Sequence, residues 1–413
     1  MANFNLYSVS CTVTIGYHLN LLYQIDMQIV SRMQAVQSPI IPVIGELIHN
    51  HPGTISLGQG VVAYNPPREA VEMLPQFLLE SHNNLYKAVE GIPPLINAIA
   101  NKLQTFNGIE ITPNQPIVVT AGSNMAFMNA ILAITSPGDE IILNTPYYFN
   151  HEMAITMAGC RPVLVSTDTN YQLQPEAIAQ AITPKTRAVV TISPNNPTGA
   201  VYPRETLETV NRICGDRGIY HISDEAYEYF TYDGITHTSP GAFPGSSEHT
   251  ISLYSLSKAY GFASWRIGYM VIPANLLVAV KKVQDTILIC PPVISQYAAL
   301  GAMQAKPEYL QENIQAIAQV RELVLDSLRE LHDICTINLA PGAFYFFLKI
   351  HTSLDAFTLT KRLIQEHLVA VIPGTTFGME GGCYVRIAYG ALQPETAQQG
   401  INRLISGLKK IVN

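Results

Sequence analysis

From about residue 65 to residue 290, stretches with apolar residues at three- and four-residue spacing alternate with six short β-rich runs, at 116–120, 139–143, 162–166, 187–192, 219–223 and 250–254. Such alternation confines the chain to a mostly parallel sheet covered by helices, because parallel neighbours need a long crossover connection. The helical stretches include 123–135, 204–217 after Pro203, and 272–286. After residue 300 the pattern changes to a long helical stretch (306–332), strands near 335–350, a helix near 353–368 and strands at 369–373 and 383–389. The 413 residues exceed what one core covers, since cores stop growing near roughly 250–300 residues. Two domains are expected: a large α/β domain over 64–295, and a smaller α+β domain built from 27–63 with 296–413. Residues 1–26 read as an N-terminal arm or an extension upstream of a start at Met27 or Met33. In an open parallel sheet the ligand belongs at the C-terminal ends of the strands.

Composition narrows the function. Hydrophobic residues make up 48% and charged residues 13%, so the chain is globular. The net charge of −7 comes without any lysine- or arginine-rich run, which argues against nucleic acid and membrane surfaces as partners. The six cysteines form no CxxC pair and have no matching histidine cluster, so neither a metal site nor a disulfide framework is expected, and a reducing cytoplasm fits best. No apolar run reaches the roughly 18–20 residues needed to cross a bilayer. The first basic residue is Arg32, too late for the n-region of a signal peptide.

Four short segments carry chemistry. The first is Ser255-Leu256-Ser257-Lys258-Ala259-Tyr260-Gly261 with Arg266 shortly after it. A lysine in such a loop can form an imine with a carbonyl cofactor while the serines and Arg266 bind a phosphate beside it. The second is Asp224-Glu225-Ala226-Tyr227, directly after the apolar run from Ile219 to Ile222. Asp224 can pair with a protonated pyridine nitrogen, and Tyr227 can donate to the ring's phenolic oxygen. The third, Ser193-Pro194-Asn195-Asn196-Pro197-Thr198-Gly199, is a turn that can present the Asn196 amide to the same oxygen. In the fourth, Thr120-Ala121-Gly122-Ser123-Asn124, small residues lead from a strand into a helix, and Gly122, Ser123 and Asn124 form a candidate phosphate cradle. Taken singly, each is equally an ordinary loop, turn or helix cap.

Together and in this order, the four segments resemble the class I/II aminotransferases of fold type I, from about residue 33 to the C-terminus. Within that family the chain looks most like the plant-type aromatic aminotransferases that use methionine as amino donor. Residues 56–62, 146–150, 227–234 and 294–296 carry the closer likeness. The resemblance implies a mostly parallel, seven-stranded sheet in the large domain, pyridoxal 5'-phosphate as cofactor, and Lys258 as its aldimine partner and proton shuttle. It implies that Tyr148 stacks on the pyridine ring. Asn196 then serves cofactor and substrate alike, while Arg386 grips the substrate α-carboxylate and the Gly60 backbone contacts it. Tyr86 matches a tyrosine that reaches the neighbouring subunit's cofactor phosphate, so a homodimer with shared sites is implied.

One departure bears on specificity. Relatives that act on dicarboxylic substrates draw a second arginine from the partner subunit, yet the corresponding stretch 283–305 holds no Arg or Lys. A neutral side chain is therefore expected, in an apolar pocket formed by Ile287, Leu288, Ile289, Cys290, Pro291 and Pro292 near Tyr64. The reaction expected is amino transfer from methionine, an aromatic or another neutral L-amino acid to a 2-oxo acid, with Lys258, Asp224, Tyr227 and Asn196 at the chemistry. The alternatives are a carbon–sulfur β-lyase on the same fold, which releases pyruvate and ammonia without an acceptor, and a non-catalytic cofactor-binding regulatory protein.

Overall fold

The computed structural model describes residues 32–412. The arm expected over 1–26, together with Cys11 and the alternative start Met27, lies outside the described residues. All six β-rich runs are strands of one seven-stranded sheet. Its order is Ile117–Thr120, Gly268–Val271, Thr250–Ser255, Tyr220–Asp224, Thr186–Ile192, Glu140–Thr145 and Arg161–Ser166. The strand that joins them, Gly268–Val271, pairs antiparallel with both of its neighbours, whereas all other strands run the same way. Its four residues are all buried, so no in-out alternation marks it in the sequence.

Helices cover the sheet. Arg204–Arg217 forms as expected, and Gly218 ends it in the left-handed conformation that a residue without Cβ adopts most easily. The stretch expected to be helical from 272 begins its helix only at Leu277, after Pro273 and a 3-10 turn at Ala274–Leu276. The expected helix over 306–332 is Pro307–Leu328 followed by a 3-10 turn.

A four-stranded antiparallel sheet forms later in the chain, in the order Ile372–Pro373, Cys383–Ala388, Tyr345–Ile350, Cys335–Ile337. The run at 335–350 is thus two strands separated by a turn. The run at 369–373 also divides, because Val369–Ala370 pairs in parallel with Ile55–Ser56 while Ile372–Pro373 joins the larger partner sheet. Asp355 caps the helix Ala356–His367 by accepting from Thr358 N at 2.9 Å, and Leu359 and Leu363, four residues apart, are fully buried. One apolar cluster runs through Val119, Tyr254 and Leu256 to Phe344, Phe346 and Val385, so the two sheets share a continuous core. Among the described residues no helix is long and apolar enough to cross a membrane.

The direction of the strands positions the site. Six C-terminal ends open on one edge of the large sheet, and the reversed strand begins there, with Gly268 paired to both Thr120 and Ser255. The loops after Thr120, Ile192, Asp224 and Ser255, and the residues just before Gly268, therefore meet.

Candidate active site

Where they meet is a cavity of about 240 Å³. Six side chains expected from the sequence line it: Asn196 from one loop, Asp224 and Tyr227 from the end of a strand and the turn after it, Ser255 and Lys258 from the end of another strand and the short helix that follows, and Arg266 from just before Gly268. Ser123, Asn124 and Tyr148 join them from the starts of the helices Ser123–Ile134 and Phe149–Met157, whereas Gly60, Gly122 and Arg386, also expected, do not themselves line the cavity. Gly122 caps the first of these helices at φ +82°, and the Arg266 guanidinium occupies the space that a Cβ there would need. Glycine is thus required on conformational and steric grounds at once. Arg266 itself sits at φ +53°, strained for a residue with a side chain. Its guanidinium donates to Ala263 O at 2.9 Å and to Ser257 Oγ at 3.4 Å, which fixes it in the cavity lining.

The charges around this space do not balance. Lys258, Arg266 and Arg386 are gathered here in a chain of net charge −7, and none of them has a carboxylate within ion-pair distance among the described residues. Asp224 is the acidic group lining the cavity. An electropositive pocket of this kind selects ligands bearing phosphate and carboxylate groups. Lys258 lies on the short helix Leu256–Ala259, which Ser255 caps by accepting from Ser257 N at 3.1 Å. Its Nζ donates to Gly60 O at 2.5 Å, and Tyr64 Oη anchors the segment by donating to Lys258 O at 2.8 Å. Burial, reinforced by Arg386 and Arg266 and opposed by Asp224, pushes the Lys258 amine down to about 8. A neutral amine is accordingly available near physiological pH, as a nucleophile towards a carbonyl requires.

Asp224 ends its strand with Oδ1 accepting from Ala226 N at 3.1 Å and Oδ2 lying 3.1 Å from His151 Nε2. Since an ionised carboxylate only accepts, the imidazole proton belongs on Nε2. His151 stacks on Phe127 at 3.9 Å between ring centres, which fixes its plane. The sequence reading missed this histidine, although it follows directly on the segment Pro146 to Asn150; its partner is 73 positions away in Asp224. It also missed Tyr345, whose hydroxyl lies 2.6 Å from that of Tyr227. Arg386 is 2% exposed, with Nη1 donating to Asn196 Oδ1 at 2.9 Å, Nη2 donating to Gly58 O at 2.7 Å, and Nε without a partner among the described residues. Its guanidinium packs between the rings of Tyr345 and Phe377, 4.6 and 5.1 Å from their centres.

Two expectations lie elsewhere. Tyr86 is 77% exposed and does not line this chain's cavity. The apolar stretch from Ile287 to Pro292 does not line it either, and Ile287 and Ile289 are exposed. A separate cluster, the buried Glu225 and Glu228 with the half-buried His237, holds ligand-type atoms within 4.8 Å of one another. Lys102 Nζ, 2.5 Å from Glu228 Oε1, supplies a cation there.

The donor set fits pyridoxal phosphate: an amine for the carbonyl, a carboxylate for the ring nitrogen, two donors for the ring oxygen, and serines, an arginine and a helix N-terminus for the phosphate. The family model for aminotransferase class I and II matches residues 52–404. An aromatic aminotransferase of Arabidopsis thaliana, ISS1, is 30% identical over 391 residues, covering 92% of this chain and 96% of its own. The aspartate/prephenate aminotransferase of Thermus thermophilus is 34% identical over 84% of this chain and 89% of its own. The crystal structure of an aromatic aminotransferase from Pyrococcus horikoshii superposes with a TM-score of 0.82 at 32% identity, over 89% of this chain and 99% of that one.

Proposed function

Because the chain belongs to the class I and II aminotransferases and is a pyridoxal-phosphate-dependent transaminase, we propose that it transfers the amino group of a neutral L-amino acid, methionine or aromatic, to a 2-oxo acid, with Lys258 holding the cofactor. The observation that carries the assignment of roles is the buried Arg386, whose charge has no carboxylate partner among the described residues and whose Nε is unpaired. A buried cation left in this way is stabilised when an anion arrives. The substrate α-carboxylate is that anion. When bound, pyridoxal phosphate supplies the electron sink for the pair left at the substrate Cα.

Each residue then has a defined task. Arg386 would orient the amino acid, and Lys258 Nζ would take the proton from Cα and hand it to the cofactor's carbonyl carbon, C4′. Asp224, steadied by His151, holds a proton at the ring nitrogen. Tyr227 and Asn196 would donate to the ring oxygen, Tyr148 would pack against a ring face, and Ser123, Asn124, Ser255, Ser257 and Arg266, with the helix N-terminus beginning after Gly122, would hold the phosphate.

Support for a neutral side chain comes from the stretch 283–305, which holds no Arg or Lys. Relatives of comparable identity include aspartate and aspartate/prephenate aminotransferases as well as aromatic ones, so the stretch has to decide. A spectral titration tests this. Methionine is expected to bleach the cofactor's visible band and phenylpyruvate to restore it, whereas aspartate does so far more slowly. Equal bleaching by aspartate would sink the neutral-substrate reading. Absence of any band after adding pyridoxal phosphate would sink the assignment of the cavity, and release of pyruvate and ammonia without an acceptor would favour the β-lyase.

We also propose a homodimer with shared sites. Leu78, Leu79, Leu85 and Tyr86 are 66–80% exposed, close to the helix Val293–Ala302, and Ile287, Ile289 and Ile294 add apolar surface just before and at the start of that helix. So much exposed apolar surface on one part of the chain marks an interface. A second copy seated there is our candidate source of the Tyr86 phosphate contact and of the apolar stretch 287–292. Sedimentation of the holoprotein at micromolar concentration is expected to give the mass of two chains; a single-chain mass would end the shared-site idea.

A further inference from the structure

Tyr345 opens the strand Tyr345–Ile350, and Phe347, two residues on, lies directly opposite Arg386 in the neighbouring strand. Period-two alternation puts Tyr345, Phe347 and Arg386 on one face of the sheet. From there Tyr345 touches three parts of the site. Its ring faces the Arg386 guanidinium at 4.6 Å, and its hydroxyl lies 2.6 Å from the Tyr227 hydroxyl. The same hydroxyl fills the space where Gly60 would carry a Cβ, at 2.5 Å, beside the carbonyl that receives Lys258 Nζ.

The direction of the Tyr345–Tyr227 bond follows from counting donors. Tyr345 is 1% exposed, and among the described residues its hydroxyl has a single hydrogen-bond partner, the Tyr227 hydroxyl. Were Tyr227 to donate, the Tyr345 proton would be buried without an acceptor, which protein interiors avoid. If Tyr345 donates instead, the Tyr227 oxygen accepts from it and, at 3.5 Å, from Asn196 Nδ2. Both acceptor positions of that oxygen are then taken, and its own proton is left to point into the cavity that Tyr227 lines. We propose that Tyr345 is a positioning residue: its hydroxyl fixes Tyr227 as a donor to the cofactor's ring oxygen, and its ring face holds Arg386 for the substrate carboxylate. This rests on the reading of the cavity given under Proposed function.

The two contacts separate by substitution. Tyr345→Phe keeps the ring and removes the donor, so the pH midpoint of the bound cofactor's absorption change should rise by about one unit, roughly tenfold in proton affinity, because a weaker donor at the ring oxygen stabilises the deprotonated form less. The KM for methionine should stay within about twofold, because the cation still lies over an aromatic face. Tyr345→Leu should show the same shift of midpoint together with a KM raised roughly five- to tenfold. On a Tyr227→Phe background, Tyr345→Phe should move the midpoint no further. A parent-like midpoint in Tyr345→Phe, or a shift that adds to that of Tyr227→Phe, overturns the proposal. A parent protein that shows no cofactor band removes the underlying reading and this proposal with it, whereas a normal parent titration with an unmoved variant removes the proposal alone.

Discussion

Lys258→Ala is expected to fold and to take up pyridoxal phosphate non-covalently, while turning over amino acid at least about 10⁴-fold more slowly, since acid–base catalysis by a positioned side chain accounts for roughly 10²–10⁴ and the covalent role is lost as well. Borohydride reduction followed by mass measurement reads the covalent role directly: the parent should gain the cofactor's mass and the variant should not. The pH dependence has a definite sign. An amine at about 8 instead of 10.5 is neutral about 300 times more often at pH 7 than an ordinary lysine. Covalent capture by the apoprotein should accelerate about tenfold per pH unit up to about 8 and then level off. A rate still climbing steeply at pH 10 would show an unperturbed amine, and a variant within tenfold of the parent would place the proton transfer on another group.

Arg386→Leu is expected to lower kcat/KM for methionine by roughly 10²- to 10³-fold, about 3–4 kcal/mol, within the ~2–5 kcal/mol lost when one partner of a buried, hydrogen-bonded charge pair is removed. Most of the loss should fall on KM, because the carboxylate contact exists in ground and transition states alike. Stability should move the other way. Arg386 is held by neutral acceptors, Asn196 Oδ1 and Gly58 O, between two aromatic rings. Replacing an uncompensated buried charge with an apolar side chain should therefore leave the melting temperature unchanged or higher. An amine analogue of methionine without its carboxylate provides the control, since it should be an equally poor substrate for both proteins. A variant that discriminated against this amine as strongly as the parent does would locate the carboxylate contact elsewhere.

The sequence was most informative where chemistry and local pattern coincide. Lys258 among serines and Asp224 after an apolar run were legible because the strand preceding each is itself visible. The reversed strand was not: Gly268–Val271 is short and buried on both faces, so alternation could not reveal it. The division of 369–373 between two sheets depends on partners at residues 55–56 and 385–386, which no local window contains. His151 and Tyr345 escaped for a related reason. Neither belongs to a motif, and each meets its partner in the site across 73 or 118 positions, Asp224 and Tyr227 respectively. The expected apolar pocket at 287–292 belongs to a stretch through which relatives reach across to a partner subunit, and in the single chain that stretch does not line the cavity.

The shared core joins two sheets that contribute differently to the cavity. Loops at the edge of the larger sheet line it with Asn196, Asp224, Lys258 and Arg266, whereas Arg386 and Tyr345, which touch the lining residues Asn196 and Tyr227, come from adjacent strands of the smaller one. The residues proposed to receive the amino acid's carboxylate are thus encoded well downstream of the lysine, Tyr345 by 87 positions and Arg386 by 128. For a lineage under selection, this separates the question of which molecule is accepted from the question of how its nitrogen is moved. Changes around Arg386 and Tyr345 could alter which molecule is accepted while the lysine and its neighbours stay as they are.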